Sequence, residues 1–117
     1  MHPKQPSRVE LFQGTLDLLI LRTLLRGPEH GHAIAKHIRR TSEEVLKVET
    51  GSLYPALHRL EAKGWIAASW DRSDKGKRAR YYQLTPLGKK QLTAEQSKWR
   101  TFSRAIGLIL DPADQEG

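Results

Sequence analysis

A helix that is apolar on nearly every side constrains this chain more than any other feature. Within Leu16 to Leu25, only Asp17, Arg22 and Thr23 interrupt a run of leucine and isoleucine. Val9, Phe12, Leu16 and Leu19 make one seam at helical spacing, and Leu18, Leu21 and Leu25 make a second. Ile20 and Leu24 widen the apolar surface between them. Ser7 and Glu10 have the form of a capping box, so the helix is expected to start near Ser7. It should stop at Gly27-Pro28 and pass through Gly14, a residue that costs about 1 kcal/mol against alanine and could mark a bend. A helix of this kind has to be covered from more than one direction. If a small domain covers one side only, a second copy of the chain must cover the other, and Val9, Phe12, Leu16 and Leu19 become candidate dimer-interface residues.

The run is too short and too interrupted for a bilayer span, which takes roughly 20 apolar residues. The N-terminal residues carry no charged-then-apolar signal pattern. No membrane partner and a cytoplasmic location are therefore expected. With 117 residues the chain can bury one core, and with no cysteine it has neither disulfides nor thiolate metal sites. Lys and Arg outnumber Asp and Glu by 20 to 13, a net charge of +7, which favours a polyanionic partner.

Beyond Gly27-Pro28 the pattern predicts a second helix over His32 to Thr41, with Ile34 and Ile38 facing inward, ended or slightly extended by Ser42-Glu43-Glu44. Leu46-Lys47-Val48 alternates like a very short strand. Thr50-Gly51-Ser52 offers N-cap chemistry for a third helix that buries Leu53, Leu57 and Leu60 and ends at Lys63-Gly64. Two β-rich runs, Trp65 to Trp70 and Arg80 to Leu84, flank the polar loop from Asp71 to Ala79 and predict a hairpin. Thr85-Pro86 opens a last helix reaching about Leu110. There Leu92, Trp99, Phe102, Ile106 and Ile109 form a coiled-coil-like seam, a second candidate part of a dimer interface.

The expected fold class is mainly α with a small β-hairpin, a winged helix-turn-helix over residues 7–85 followed by a dimerisation helix over 86–110. In that arrangement the third helix leaves its outer face and N-terminus for a ligand. Thr50, Ser52, Tyr54, Pro55, His58 and Arg59 occupy those positions, suited to phosphates and base edges of double-stranded DNA. Pro55 restricts the helix start to near Thr50–Ser52, because its missing N–H costs about 3 kcal/mol deeper in a helix. The loop and its flanks add Arg72, Lys75, Lys77, Arg78 and Arg80 against Asp71 and Asp74, a cationic tip suited to tracking a phosphate backbone or entering a minor groove.

These segments closely resemble the PadR family of transcriptional regulators. The resemblance is carried by Gly14-Thr15-Leu16-Asp17-Leu18-Leu19-Ile20-Leu21, by Gly31-His32-Ala33-Ile34 and by the stretch from Gly51 to Glu61, with Leu53-Tyr54-Pro55 its most specific part. It continues through Gly64-Trp65-Ile66, Arg80 to Thr85 and Gly88, and covers roughly residues 11 to 92. It implies a repressor whose dimer is formed by the first and last helices and whose third helix and wing bind operator DNA, and a symmetric dimer calls for a near-palindromic operator. The single C-terminal helix is similar to the short-tailed branch, in which a small aromatic effector can enter the dimer interface; Trp99 and Phe102 would line that pocket or simply pack the seam. His32 departs from the family, which usually has tyrosine there, and the stretch from Trp65 to Trp70 is unusually aromatic at both ends.

His30, His32, His37 and His58 lack a completing carboxylate or cysteine at ligand spacing, so no metal and no cofactor is expected. No phosphate loop, nucleophile motif or carboxylate pair stands out, so the chain is not read as an enzyme. A winged helix that binds RNA or serves as a protein adaptor is the alternative, since this fold hosts both.

Overall fold

A computed structural model describes residues 13–72 and 76–111. Among these residues, four helices and a three-stranded antiparallel sheet follow one another as α1 (Gln13–Leu24), β1 (Glu29–His30), α2 (Gly31–Thr41), α3 (Thr50–Ala62), β2 (Ile66–Arg72), β3 (Arg78–Leu84) and α4 (Pro86–Leu110). The strand order is β1-β3-β2. The expected capping box at Ser7, with Val9 and Phe12, lies outside the described residues.

Helix α1 is the centre of the fold. It packs against α2, α3, α4 and β3, and Leu16, Leu18, Ile20, Leu21 and Leu24 are buried together with Ile34, Ile38, Leu53, Leu57 and Leu60. One small domain therefore covers this helix on several sides, contrary to the expectation that its apolar girth needs a second chain. Gly14 sits within the helix without interrupting it. Among the described residues one charge enters this core. Asp17 is 8% exposed and accepts a hydrogen bond from Arg59 Nη2 at 2.8 Å, an ion pair that ties α1 to α3.

Helix α2 begins one residue earlier than the pattern indicates, because the His30 ring caps it: Nδ1 accepts from the Ala33 amide at 3.2 Å. It ends without glycine. The amides of Glu43 and Glu44 return to the carbonyls of Arg40 and Arg39, and both glutamates take left-handed backbone angles, φ 55° and 70°. Arg39 steadies the turn through an ion pair with Glu44 at 3.3 Å.

The expected strand at Leu46-Lys47-Val48 is not one. That stretch is irregular, with Leu46 and Val48 half-buried against the core. The third strand is instead Glu29–His30, paired with Tyr82 and Tyr81 of β3. Pro28 cannot enter a helix interior and leaves the next residues extended beside that strand. The hairpin is longer than its β-rich runs suggest. Asp71 pairs with Ala79 and Arg72 with Arg78, leaving a shorter loop around Gly76, whose φ is +79°.

The end of α3 matches its sequence signal. Gly64 takes φ +76°, its amide reaches the Glu61 carbonyl, and the Trp65 amide reaches Leu60. Its start does not, since Glu49 is the N-cap and no side chain caps the helix. Helix α4 starts as read, with Thr85 Oγ1 accepting from the Gly88 amide at 3.0 Å and Pro86 in the first turn. Gly88 is indispensable here, because a Cβ would overlap the Trp65 carbonyl. That carbonyl accepts from the Thr85 amide at 3.1 Å, and the Thr85 hydroxyl is shared between the Gly64 carbonyl at 2.7 Å and the Trp65 carbonyl at 3.0 Å, so Gly64 and Trp65 anchor the root of α4 to the hairpin.

Candidate nucleic-acid interface

The outer side of α3 lies between two cationic walls. The first is built by α2 and the segment leading into α3. Lys36, Arg39 and Arg40 stand three and four residues apart on α2, opposite the face that buries Ile34 and Ile38. With Lys47, His32, Thr50 and Tyr54 they line an open cleft of about 640 Å³ beside the start of α3. Thr50, Ser52, Pro55 and His58 are exposed along the helix itself. Pro55 falls in the second turn, where its ring deprives the Gly51 carbonyl of its usual helical donor on this solvent side.

Tyr54 has a double role in the geometry. It is 38% exposed, yet its ring lies so close to Gly31 that a Cβ there would come within 2.6 Å of the phenol oxygen. Gly31 thus lets α2 and α3 approach, and Tyr54 sets their separation at the mouth of the cleft. Behind it Tyr82 is buried, and that burial pushes its phenol above the ordinary value of 10.0.

The hairpin forms the second wall. Lys77 and Arg78 are exposed near its tip, and Arg72 Nη1 donates to the Gly76 carbonyl at 2.9 Å, closing the turn. Lys75 lies outside the described residues. Arg80 donates to Glu61 Oε2 at 2.8 Å and so fastens the wing to α3. The wing root is joined to α2 by aromatic contacts, with the His30 ring edge-on to Tyr81 at 5.4 Å and stacked with His32 at 6.4 Å.

Apart from Lys75, the residues singled out on α3 and the wing therefore divide. Thr50, Ser52, Pro55, His58, Lys77 and Arg78 stand outward and Tyr54 partly so, while Arg59 and Arg80 are drawn into ion pairs with Asp17 and Glu61. The first wall was missed by sequence reasoning. Its signal was the Lys36, Arg39, Arg40 spacing, passed over because α2 was read for its inward isoleucines.

The candidate interface residues divide as well. Leu16 and Leu92 are 4% and 3% exposed inside the chain, and Leu19 is half-buried against the same core. Burial within the chain leaves no free surface on Leu16 or Leu92 for another copy to cover. Trp99, Phe102, Ile106 and Ile109 remain 45%, 60%, 39% and 74% exposed on the distal half of α4. Trp99 and Phe102 sit 6.4 Å apart in a tilted pair. Among the described residues no group of three metal-ligating side chains occurs, and no helix is long and apolar enough to cross a membrane.

Comparison with known proteins gives this geometry its context. The Transcriptional regulator PadR-like family matches residues 20–94. A transcriptional regulator of Mycobacterium tuberculosis is 31% identical over 97 residues, covering 83% of this chain and 87% of that protein. Among solved structures, a transcriptional regulator from Clostridium thermocellum superposes with a TM-score of 0.74 at 32% identity, covering 81% of this chain and 92% of the other. A PadR family transcription regulator from hypervirulent Clostridium difficile gives 0.71 at 33% identity, covering 81% and 97%. Such proteins regulate transcription and are not enzymes. The winged helix and the matched residues together place this chain in the PadR-like family of transcriptional regulators.

Proposed function

We propose that this protein is a homodimeric, sequence-specific DNA-binding repressor acting in the cytoplasm. The observation that carries the reading is the exposure of Thr50, Ser52, Pro55 and His58 on α3 between two cationic walls. In the reading, α3 enters a major groove, and Lys36, Arg39, Arg40 and Lys47 take phosphates on one side of it. Lys77 and Arg78 take the other side, and Lys75, outside the described residues, is proposed to join them. The distal face of α4 meets its copy in the partner, and the twofold places two α3 helices about 34 Å apart on successive grooves. A near-palindromic operator follows from that symmetry. Trp99 and Phe102 lie where a small aromatic effector could lodge in the seam and change the spacing of the two heads. Arg59 and Arg80 serve the surface from behind, by holding α3 to α1 and the wing to α3.

Selection of binding sites from random duplex DNA at fixed salt tests this. Enrichment of a palindrome is expected, and replacing Lys77 and Arg78 with alanine should weaken binding to all sequences and flatten its salt dependence. Ser52→Ala should instead lower the preference for operator over random duplex. Failure to enrich any palindrome would sink the operator reading in favour of an RNA-binding or adaptor role.

A further inference from the structure

The wing carries an aromatic side chain that the core does not use. On β2, Ile66, Ala68 and Trp70 share one face, but their burial fades along the strand: Ile66 is 2% exposed, Ala68 half-buried and Trp70 58% exposed. The hairpin has by then run past the helices that cover its root. Trp70 is paired across the ladder with Arg80, whose guanidinium is engaged by Glu61 of α3. Arg78, diagonal to it, lays its guanidinium over the indole at 4.7 Å. The other exposed aromatics among the described residues are Tyr54, accounted for by Gly31, and Trp99 and Phe102 on α4. Of these, Tyr54 lines the cleft of the first wall, and Trp70 is the one that stands on the wing.

Leaving an indole in water forgoes the gain of burying it, and cross-strand packing with Arg78 recovers only part of that. Its placement fits a partner that offers an apolar wall beside a line of phosphates. The floor and sugar edges of a DNA minor groove have that character, and groove-binding proteins set apolar side chains there between arginines. We propose that Trp70 packs into the minor groove flanking the α3 site and is oriented for that by Arg78. This rests on the reading of α3 and the wing as the DNA-binding surface. A narrow, A·T-rich flank holds the more negative potential and would draw the Arg78–Trp70 pair, so a preference for A·T pairs outside the half-sites follows.

The test uses the full chain with its selected operator. Trp70→Thr keeps a β-forming residue in the strand, and circular dichroism checks that it is folded. This variant should bind about tenfold or more weakly, with the slope of log affinity against log salt unchanged, because no charge has been removed. Hydroxyl-radical footprinting at saturating protein should show the flanking sugars losing protection while the central ones keep it. Trp70→Phe, which retains an aromatic ring, should lie between the two and stands in if the threonine variant unfolds. Affinity within twofold of wild type and intact flank protection would overturn the contact. So would a loss that comes with a shallower salt slope, since Trp70 would then act only by holding Arg78 to phosphate. If wild type retains no duplex at all, the DNA reading itself fails and takes this contact with it.

Discussion

Helices α1 and α4 hold many of the large apolar side chains in this chain, and they meet opposite fates. In α1 the side chains from Leu16 to Leu24 are consumed within the chain, by α2, α3 and the root of α4. In α4 only Gly88 and Leu92 are buried, and from Trp99 onward its apolar residues stand exposed, up to 74% at Ile109. Apolar crowding alone therefore does not mark an interface. What separates the two helices is position: α1 lies in the middle of a three-helix arrangement, and α4 extends beyond it. The first helix holds the domain together and the second offers a surface.

The contrast is broken most sharply by substitutions on the buried side. Leu21 is 0% exposed at the centre of the core, and Leu21→Ala should cost about 2–5 kcal/mol in chemical denaturation, from lost burial and the cavity left behind. An effect under about 1 kcal/mol would mean that the core does not enclose α1 tightly at this position. Gly88→Ala tests the locked end of α4. The added Cβ meets the Trp65 carbonyl, a backbone atom that cannot swing aside, and a loss of about 1–3 kcal/mol is expected. Asp17→Asn removes the charge facing Arg59, whose Nε is already buried without a partner, and about 1–3 kcal/mol should follow. It also separates two roles for Arg59. A residue that positions α3 predicts weaker operator binding in this variant, whereas a direct phosphate contact, released from Asp17, predicts equal or stronger binding.

The exposed side is sharpened by Ile109→Ser. This residue touches little of its own chain, so the stability of the isolated protomer should change by no more than about 0.5 kcal/mol. Sedimentation across a range of concentrations should nevertheless show weaker self-association, and the wild-type rise of Tm with concentration should flatten. A variant that associates as tightly as wild type would remove the distal face of α4 from the dimer.

The sequence already contained most of this division, though not in the form first read from it. Thr85-Pro86 and Gly64 mark their helix ends through local backbone chemistry, and local chemistry is legible in a short window. The strand at Glu29–His30 is not, because two residues become a strand only by meeting Tyr81 and Tyr82 far along the chain. Arg59 looked like an outward cation for the same reason. Its partner Asp17 is 42 residues away, and nothing near Arg59 names it. Gly31 could be noticed as a motif residue, but its purpose shows only when Tyr54 lies on it. The cationic wall on α2 is the exception, since its spacing was local and readable all along.

The smallest expected effect concerns the covered end of α1. Arg26, just beyond α1, donates from Nη1 to His37 Nδ1 on α2 at 2.8 Å, which requires a neutral imidazole; Thr41 Oγ1 lies 3.3 Å from the same ring. Burial holds His37 below its ordinary 6.5, with Arg26 and Arg22 lowering it further and Glu29 opposing them. The unfolded chain then takes up a proton at higher pH than the folded one. This site's contribution is fully present above pH 6.5, falls as the pH drops below it, and levels off below the folded-state value. His37→Gln removes the titration and keeps an acceptor for Arg26. The informative quantity is the difference between the two proteins. Wild type should lose slightly more Tm than the variant between about pH 7.5 and pH 5, and equal losses would show that the Arg26–His37 contact does not hold α1 to α2 in solution. A clear difference would add a polar tie to the packing that encloses α1, a kind of restraint that the exposed half of α4 has to find in its partner.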